Sequence, residues 1–90
     1  MERIYVVVQG QVQGVGFRWF VQSLANAYQI TGWIRNMENG MVEMELQGDS
    51  SALPLLLNKI RKGDRFIQVE NISSKSIPVQ PKEKRFSVRY

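Results

Sequence analysis

Ile4-Tyr5-Val6-Val7-Val8 is a near-continuous run of β-branched and aromatic residues, the pattern of a strand covered on both sides or central in a sheet. Past the glycines at 10, 14 and 16, the residues Phe17, Phe20, Val21, Leu24 and Tyr28 fall at i, i+3, i+4, i+7 and i+11. That spacing predicts one face of a helix, ended by Gly32. Trp33-Ile34-Arg35-Asn36 then leads to Asn39-Gly40, a dipeptide suited to the positive φ angles of a tight hairpin turn. Beyond it Val42, Met44 and Leu46 alternate with Glu43, Glu45 and Gln47, so the third element is a strand with one apolar and one wet face.

Asp49, Ser50 and Ser51 are N-cap candidates, Pro54 suits a first turn, and Leu53, Leu56, Leu57 and Ile60 repeat at helical spacing as far as Gly63. Phe66 to Ile72 reads as a fourth strand, less regular because its alternation breaks at Asn71-Ile72. After a polar stretch with Pro78 and Pro81, the residues Phe86, Val88 and Tyr90 alternate with Ser87 and Arg89 as a short terminal strand. The order β-α-β-β-α-β places the chain in the α+β class. It predicts a ferredoxin-like sandwich, an antiparallel sheet with two helices on one face and a short extra C-terminal strand. In such a split unit strands one and two are parallel with strand three between them, so their C-terminal ends share one edge. The 10–18 loop and Asn36 are expected to meet there.

Ninety residues with 43% apolar content suit one globular domain over 1–90. Cysteine and histidine are both absent. Disulfides, thiolate metal sites, a cysteine nucleophile and serine–histidine arrangements are thereby excluded, and any chemistry must run on arginine, amides, carboxylates or hydroxyls. The longest apolar run, Ile4 to Val8, is too short for a membrane span, so no membrane association and a cytoplasmic location are expected. The net charge of +4 is unevenly placed: lysine plus arginine against aspartate plus glutamate is three against four in residues 1–45 and nine against four in 46–90. A charge run of this kind is usually a solvated face.

Candidate chemistry concentrates in Gly10-Gln11-Val12-Gln13-Gly14-Val15-Gly16-Phe17-Arg18, which joins a strand to a helix start. Glycines at 14 and 16 allow close approach of a ligand, and successive N–H groups there can converge into an anion nest beside the helix N-terminus. Arg18 lies in the first helical turn, where a cation opposes the helix dipole by roughly 0.3–1 kcal/mol unless an anion lies between the two. Either the glycines turn a tight corner and Arg18 points to solvent, or the loop cradles a phosphate. For Asn36 the alternatives are a turn-forming edge residue and an amide that orients a water.

The glycine loop resembles the first signature of the acylphosphatase family nearly letter for letter, and Gly32-Trp33-Ile34-Arg35-Asn36, followed by Gly40, Val42 and Gly48, resembles its second. Length, element order and the closing Phe86-Ser87-Val88 agree as well. The resemblance covers essentially the whole chain. It implies hydrolysis of acyl phosphates such as acetyl phosphate, with no metal, no cofactor and no covalent phosphoenzyme. It also implies Arg18 as the phosphate-binding catalytic arginine, Asn36 as the residue that positions the attacking water, and the amides of Gln13, Gly14, Val15, Gly16, Phe17 and Arg18 as the phosphate cradle. Two positions depart from the pattern: Ile34 stands where a smaller aliphatic is usual, and Gly63-Asp64 replaces a frequent Gly-Pro.

The rival architecture is an RNA-recognition module, which shares the split βαβ plan. It is disfavoured because strand three presents Glu43 and Glu45 where stacking aromatics are needed, so no nucleic-acid partner is expected. A metallochaperone of this fold would need cysteines. A regulatory or carbamoyl-phosphate-handling domain acting with a partner stays open beside a monomeric hydrolase of small acyl phosphates.

Overall fold

In the computed structural model, which describes Met1–Tyr90, seven elements follow in the order β1 (Glu2–Gln11), α1 (Phe17–Ala27), β2 (Thr31–Asn36), β3 (Val42–Gly48), α2 (Ala52–Lys62), β4 (Gln68–Ile77) and β5 (Phe86–Arg89). The strands form one sheet in the order β4-β1-β3-β2-β5. β3 pairs antiparallel with both β1 and β2, so β1 and β2 run the same way and their C-terminal ends share a rim, the juxtaposition that the split βαβ order requires. The ferredoxin-like sandwich is present, but its sheet is mixed rather than wholly antiparallel: β5 pairs parallel with β2. β4 ends at the opposite rim, and the segment 78–85 crosses beneath β1 and β3 before β5 sets out alongside β2. β5 therefore ends at the same rim as β1 and β2.

Cross-strand partners share a face, and the register sorts the residues. Ile4, Val6 and Val8 oppose Leu46, Met44 and Val42, while Ile34 opposes Met44. All are buried in one hydrophobic cluster with Phe17, Val21 and Ala25 of α1 and Leu53, Leu56 and Ile60 of α2. Each large apolar side chain fully buried here contributes about 1.5–3 kcal/mol. The centre of the α1 stripe is Phe17-Val21-Ala25; Phe20, Leu24 and Tyr28 flank it half-buried. By the same register Asn36, opposite Val42, faces the helix side of the sheet at its rim.

Four local expectations change. α1 is not ended by Gly32, which lies inside β2; the helix stops at Ala27, and Gln29 takes the left-handed conformation at φ 57°. The fourth strand runs from Gln68 to Ile77 instead of Phe66 to Ile72, because β4 is an edge strand held by main-chain pairing along the whole of β1, with a bulge at Gln9/Gly10, and edge pairing needs no apolar alternation. In the β2–β3 hairpin only Gly40 has positive φ, at 90°. Asn39 instead uses its side chain, whose Oδ1 accepts the Met41 N–H at 3.0 Å. At α2 the organising residue is Asp49. Its carboxylate accepts from the N–H and hydroxyl of Ser51 at 2.9 and 2.8 Å, two bonds that hold its pKa below the ordinary value, and its carbonyl accepts from Ala52 and Leu53.

The outward face of β3, expected to be wet, is covered. Arg3 is only 2% exposed; its Nε donates to Glu45 at 2.8 Å, and its terminal nitrogens reach Gln47 at 3.1 Å and Glu83 at 2.8 and 3.1 Å. Gln47 in turn exchanges two bonds with the main chain of Gln80. Nearer the site rim the Tyr5 hydroxyl donates to Glu43 at 2.6 Å, and Arg35 donates to the other Glu43 oxygen. These carboxylates were legible as outward-facing, but the arginines and tyrosine that cover them lie on other strands.

Candidate active site

α1 begins without the usual devices. Its N-cap is Gly16, in a left-handed conformation at φ 79° and ψ 18°, and it has neither a side-chain cap nor an acidic residue in the first turn. Gly14 and Gly16 both have positive φ, 74° and 79°, with nothing within 4 Å of the space a Cβ would take. Room is therefore not the constraint; backbone conformation is. Val15 between them has negative φ, and alternation of sign along consecutive residues is what turns neighbouring N–H groups toward a common side. From Val12 to Trp19 no main-chain N–H finds an acceptor in the protein; the first that does is Phe20, bonded to the Gly16 carbonyl at 3.0 Å. So long a run of free donors at a helix N-terminus suits an anion.

Arg18 contributes the second component. The three ion pairs of the molecule involve Arg3 and Arg35, and none involves Arg18. Its guanidinium makes one long bond, 3.3 Å, to the carbonyl of Arg89, and lies 4.6 Å from the centre of the Tyr90 ring. These contacts orient the group and leave its charge unneutralised. The third component is Asn36, whose Oδ1 is buried and has no hydrogen-bond partner. An orphaned buried acceptor costs roughly 1–3 kcal/mol, and the residue that carries it stands beside the glycine loop.

All three share one cleft of about 450 Å³. Of the residues expected in the site, Gly14, Gly16, Phe17, Arg18 and Asn36 line it. Gln13 and Val15 do not. The Gln13 side-chain amide donates to the carbonyls of Met37 and Met41, both at 2.8 Å, clamping the glycine loop to the β2–β3 hairpin and so to the strand that carries Asn36. Val15 packs against the core, and Phe17 is buried in it, 1% exposed; their side chains fix the path of the loop.

Sequence reasoning missed Val12, Trp19, Gln22, Val88 and Tyr90, which also line the cleft. Gln22 stands four residues after Arg18, on the same helical face, a spacing that could have been read. Val88 and Tyr90 arrive because β5 joins β2 in parallel, and no local pattern announces that pairing.

Fold and site together define a small ferredoxin-like α+β domain with free amides and an unpaired guanidinium in one cleft, groups whose chemistry suits an oxyanion. The acylphosphatase family matches residues 4–88, and the chain belongs to that family. It is 50% identical to an acylphosphatase of Clostridium acetobutylicum over all of this chain and 99% of that one, and 47% identical to one of Geobacillus thermodenitrificans over all of this chain and 96% of that one. The crystal structure of the acylphosphatase from Bacillus subtilis is similar, with a TM-score of 0.94 at 36% identity, each chain covered in full. The protein is thus a hydrolase of acyl phosphates. No helix is long and apolar enough to cross a membrane.

Proposed function

We propose that residues 1–90 form a single catalytic domain that cleaves carboxyl-phosphate anhydrides without a metal, using Arg18 and the amides of residues 13 to 18 to hold the phosphoryl group and Asn36 to orient the attacking water. The observation that carries this reading is the meeting, in one cleft, of an unpaired guanidinium, an unbonded run of amides and an orphaned amide oxygen. Phosphoryl transfer spreads negative charge over the equatorial oxygens, and fixed donors aimed at that charge supply most of the catalysis. The planar fork of Arg18 offers two parallel bonds where a lysine would offer a point charge.

A water hydrogen-bonded to the Asn36 carboxamide turns a lone pair toward phosphorus. The new P–O bond forms from that water while the bridging P–O bond breaks, its electron pair leaving on the carboxylate and the water's proton passing to the phosphate product or solvent. Because a carboxylate leaves readily, no strong general acid is required, which suits a chain without histidine or cysteine. In this reading the charge of the phosphoryl group is met by Arg18 and the loop amides, with no metal required.

The test is phosphate release from benzoyl phosphate in the presence of a chelator. Wild type retains its full rate, whereas Arg18→Ala loses about 100-fold in kcat/KM, roughly 2.7 kcal/mol, and Arg18→Lys does not restore it. Near wild-type hydrolysis by either variant, or collapse of the wild-type rate with chelator, overturns the reading.

A further inference from the structure

We propose that Lys59, Arg61, Lys62 and Arg65 form a cationic rim that draws anionic substrate toward the phosphoryl site and raises kcat/KM without touching the bound molecule. The inference rests on the phosphoryl site described above and gives a role to a basic stretch of the chain that this site leaves unused.

The path of the chain puts these residues at the site's own end of the sheet. β3 ends at the rim opposite the cleft, where Gly48 pairs with Glu2. α2 runs back from there, and Lys59, Arg61 and Lys62 occupy its last turn. Arg65 follows in the turn that leads to Gln68, and Gln68 pairs with Gln11, from which the glycine loop departs. Neighbouring strands lie about 4.8 Å apart, so that turn and the glycine loop stand side by side.

All four side chains are exposed, and none has a carboxylate partner, because the three ion pairs of the molecule engage Arg3 and Arg35. Asp64, between them in sequence, is folded onto its own turn, its carboxylate accepting the N–H groups of Phe66 and Ile67 at 2.9 and 3.0 Å. Glu38, Glu70 and the terminal carboxylate are the other anions of this end, while Arg18 and Arg89 add to the cations, so the rim stays net positive. Cations in a last helical turn also complement the helix dipole, a structural role that Arg65, outside the helix, does not share. An acyl phosphate is multiply negative at neutral pH, and a field of fixed positive charges raises its concentration at the cleft mouth. The effect is long-ranged at low salt and screened within a few ångströms at high salt.

Steady-state hydrolysis of benzoyl phosphate at increasing sodium chloride tests this, with rates taken per folded molecule from circular dichroism. Wild type is compared with the triple variant Arg61→Gln/Lys62→Gln/Arg65→Gln and with Lys82→Gln/Lys84→Gln/Arg85→Gln. The latter removes the same charge from exposed positions at the opposite rim, where β5 begins beside Gly32. At about 0.02 M ionic strength the first variant loses about 3- to 5-fold in kcat/KM, through KM with kcat unchanged, and the second less than about 1.5-fold. At about 0.5 M both approach wild type. Equal losses in the two variants, a loss independent of salt, or a loss carried in kcat overturns the proposal. Failure of the phosphoryl site is seen separately, as retained hydrolysis in Arg18→Ala.

Discussion

The two faces of the sheet handle charge in opposite ways. On the outward face Arg3 meets Glu45, Glu83 and Gln47, and Glu43 is shared by Tyr5 and Arg35, so the buried polar groups there are paired inside the protein. At the rim on the helix side Arg18 has no carboxylate, the amides from Val12 to Trp19 have no acceptor, and Asn36 Oδ1 has no donor. The same residue types thus stabilise the fold in one place and remain open to a ligand in the other. Satisfied groups set structure; groups left unsatisfied at a tolerable cost mark where a ligand can bind.

Breaking the outward network should show up in stability and not in catalysis. Arg3→Met leaves Glu45 and Glu83 without their cation; because those carboxylates retain 24% and 19% exposure, water recovers part of the loss and the expected cost is roughly 2–3 kcal/mol. For a chain of this size that lowers Tm by about 10–20 °C. Thermal unfolding followed by circular dichroism checks it, alongside kcat/KM per folded molecule, expected to stay within about twofold. A Tm within a few degrees of wild type would mean that the network is ornamental.

Asn36→Ala sharpens the contrast from the other side. Loss of the amide proposed to orient the water is expected to lower kcat about 30-fold, near 2 kcal/mol, with little change in competitive inhibition by inorganic phosphate, since an oriented water matters to the transition state and little to the ground state. Stability should hold or rise by about 1 kcal/mol, because the orphaned acceptor disappears with the side chain. A variant impaired only in KM, or clearly destabilised, would return Asn36 to the structural residues.

What local pattern could and could not reveal follows the same division. The helical faces of α1 and α2, the parity of β3 and the convergence of the glycine loop with Asn36 were legible, because each rests on a short-range period or on the handedness of a split βαβ unit. The span of β4 was not. An edge strand paired through its backbone carries little apolar signal, and Gln68–Ile77 is mostly exposed. The parallel addition of β5 was hidden for a related reason, and with it Val88 and Tyr90 as walls of the cleft. Glu43 and Glu45 were correctly placed outward but wrongly left in water, since their partners Arg3 and Tyr5 stand about forty residues earlier in the chain. Gln13 was read only for its main-chain amide; the clamp made by its side chain was not legible.

The smallest expected effect is the most diagnostic of the outward network's electrostatics. The Tyr5 hydroxyl bond holds the Glu43 carboxyl below its ordinary value of 4.5, with Arg35 adding to it, and the same bond raises Tyr5 above 10.0. A depressed carboxylate stabilises the fold above its unfolded pKa and loses that contribution as pH falls; a raised phenol stabilises below its unfolded pKa and loses that as pH climbs through the folded one. The bond therefore contributes most between about pH 5 and 9 and fades at both ends. Tyr5→Phe should cost about 1 kcal/mol near neutrality, and its Tm deficit should shrink toward pH 3 and again above pH 10. Melting curves of both proteins across that range decide it: a deficit independent of pH would assign Tyr5 to packing alone, and would leave the hydroxyl bond to Glu43 without a part in the stability of the covered face.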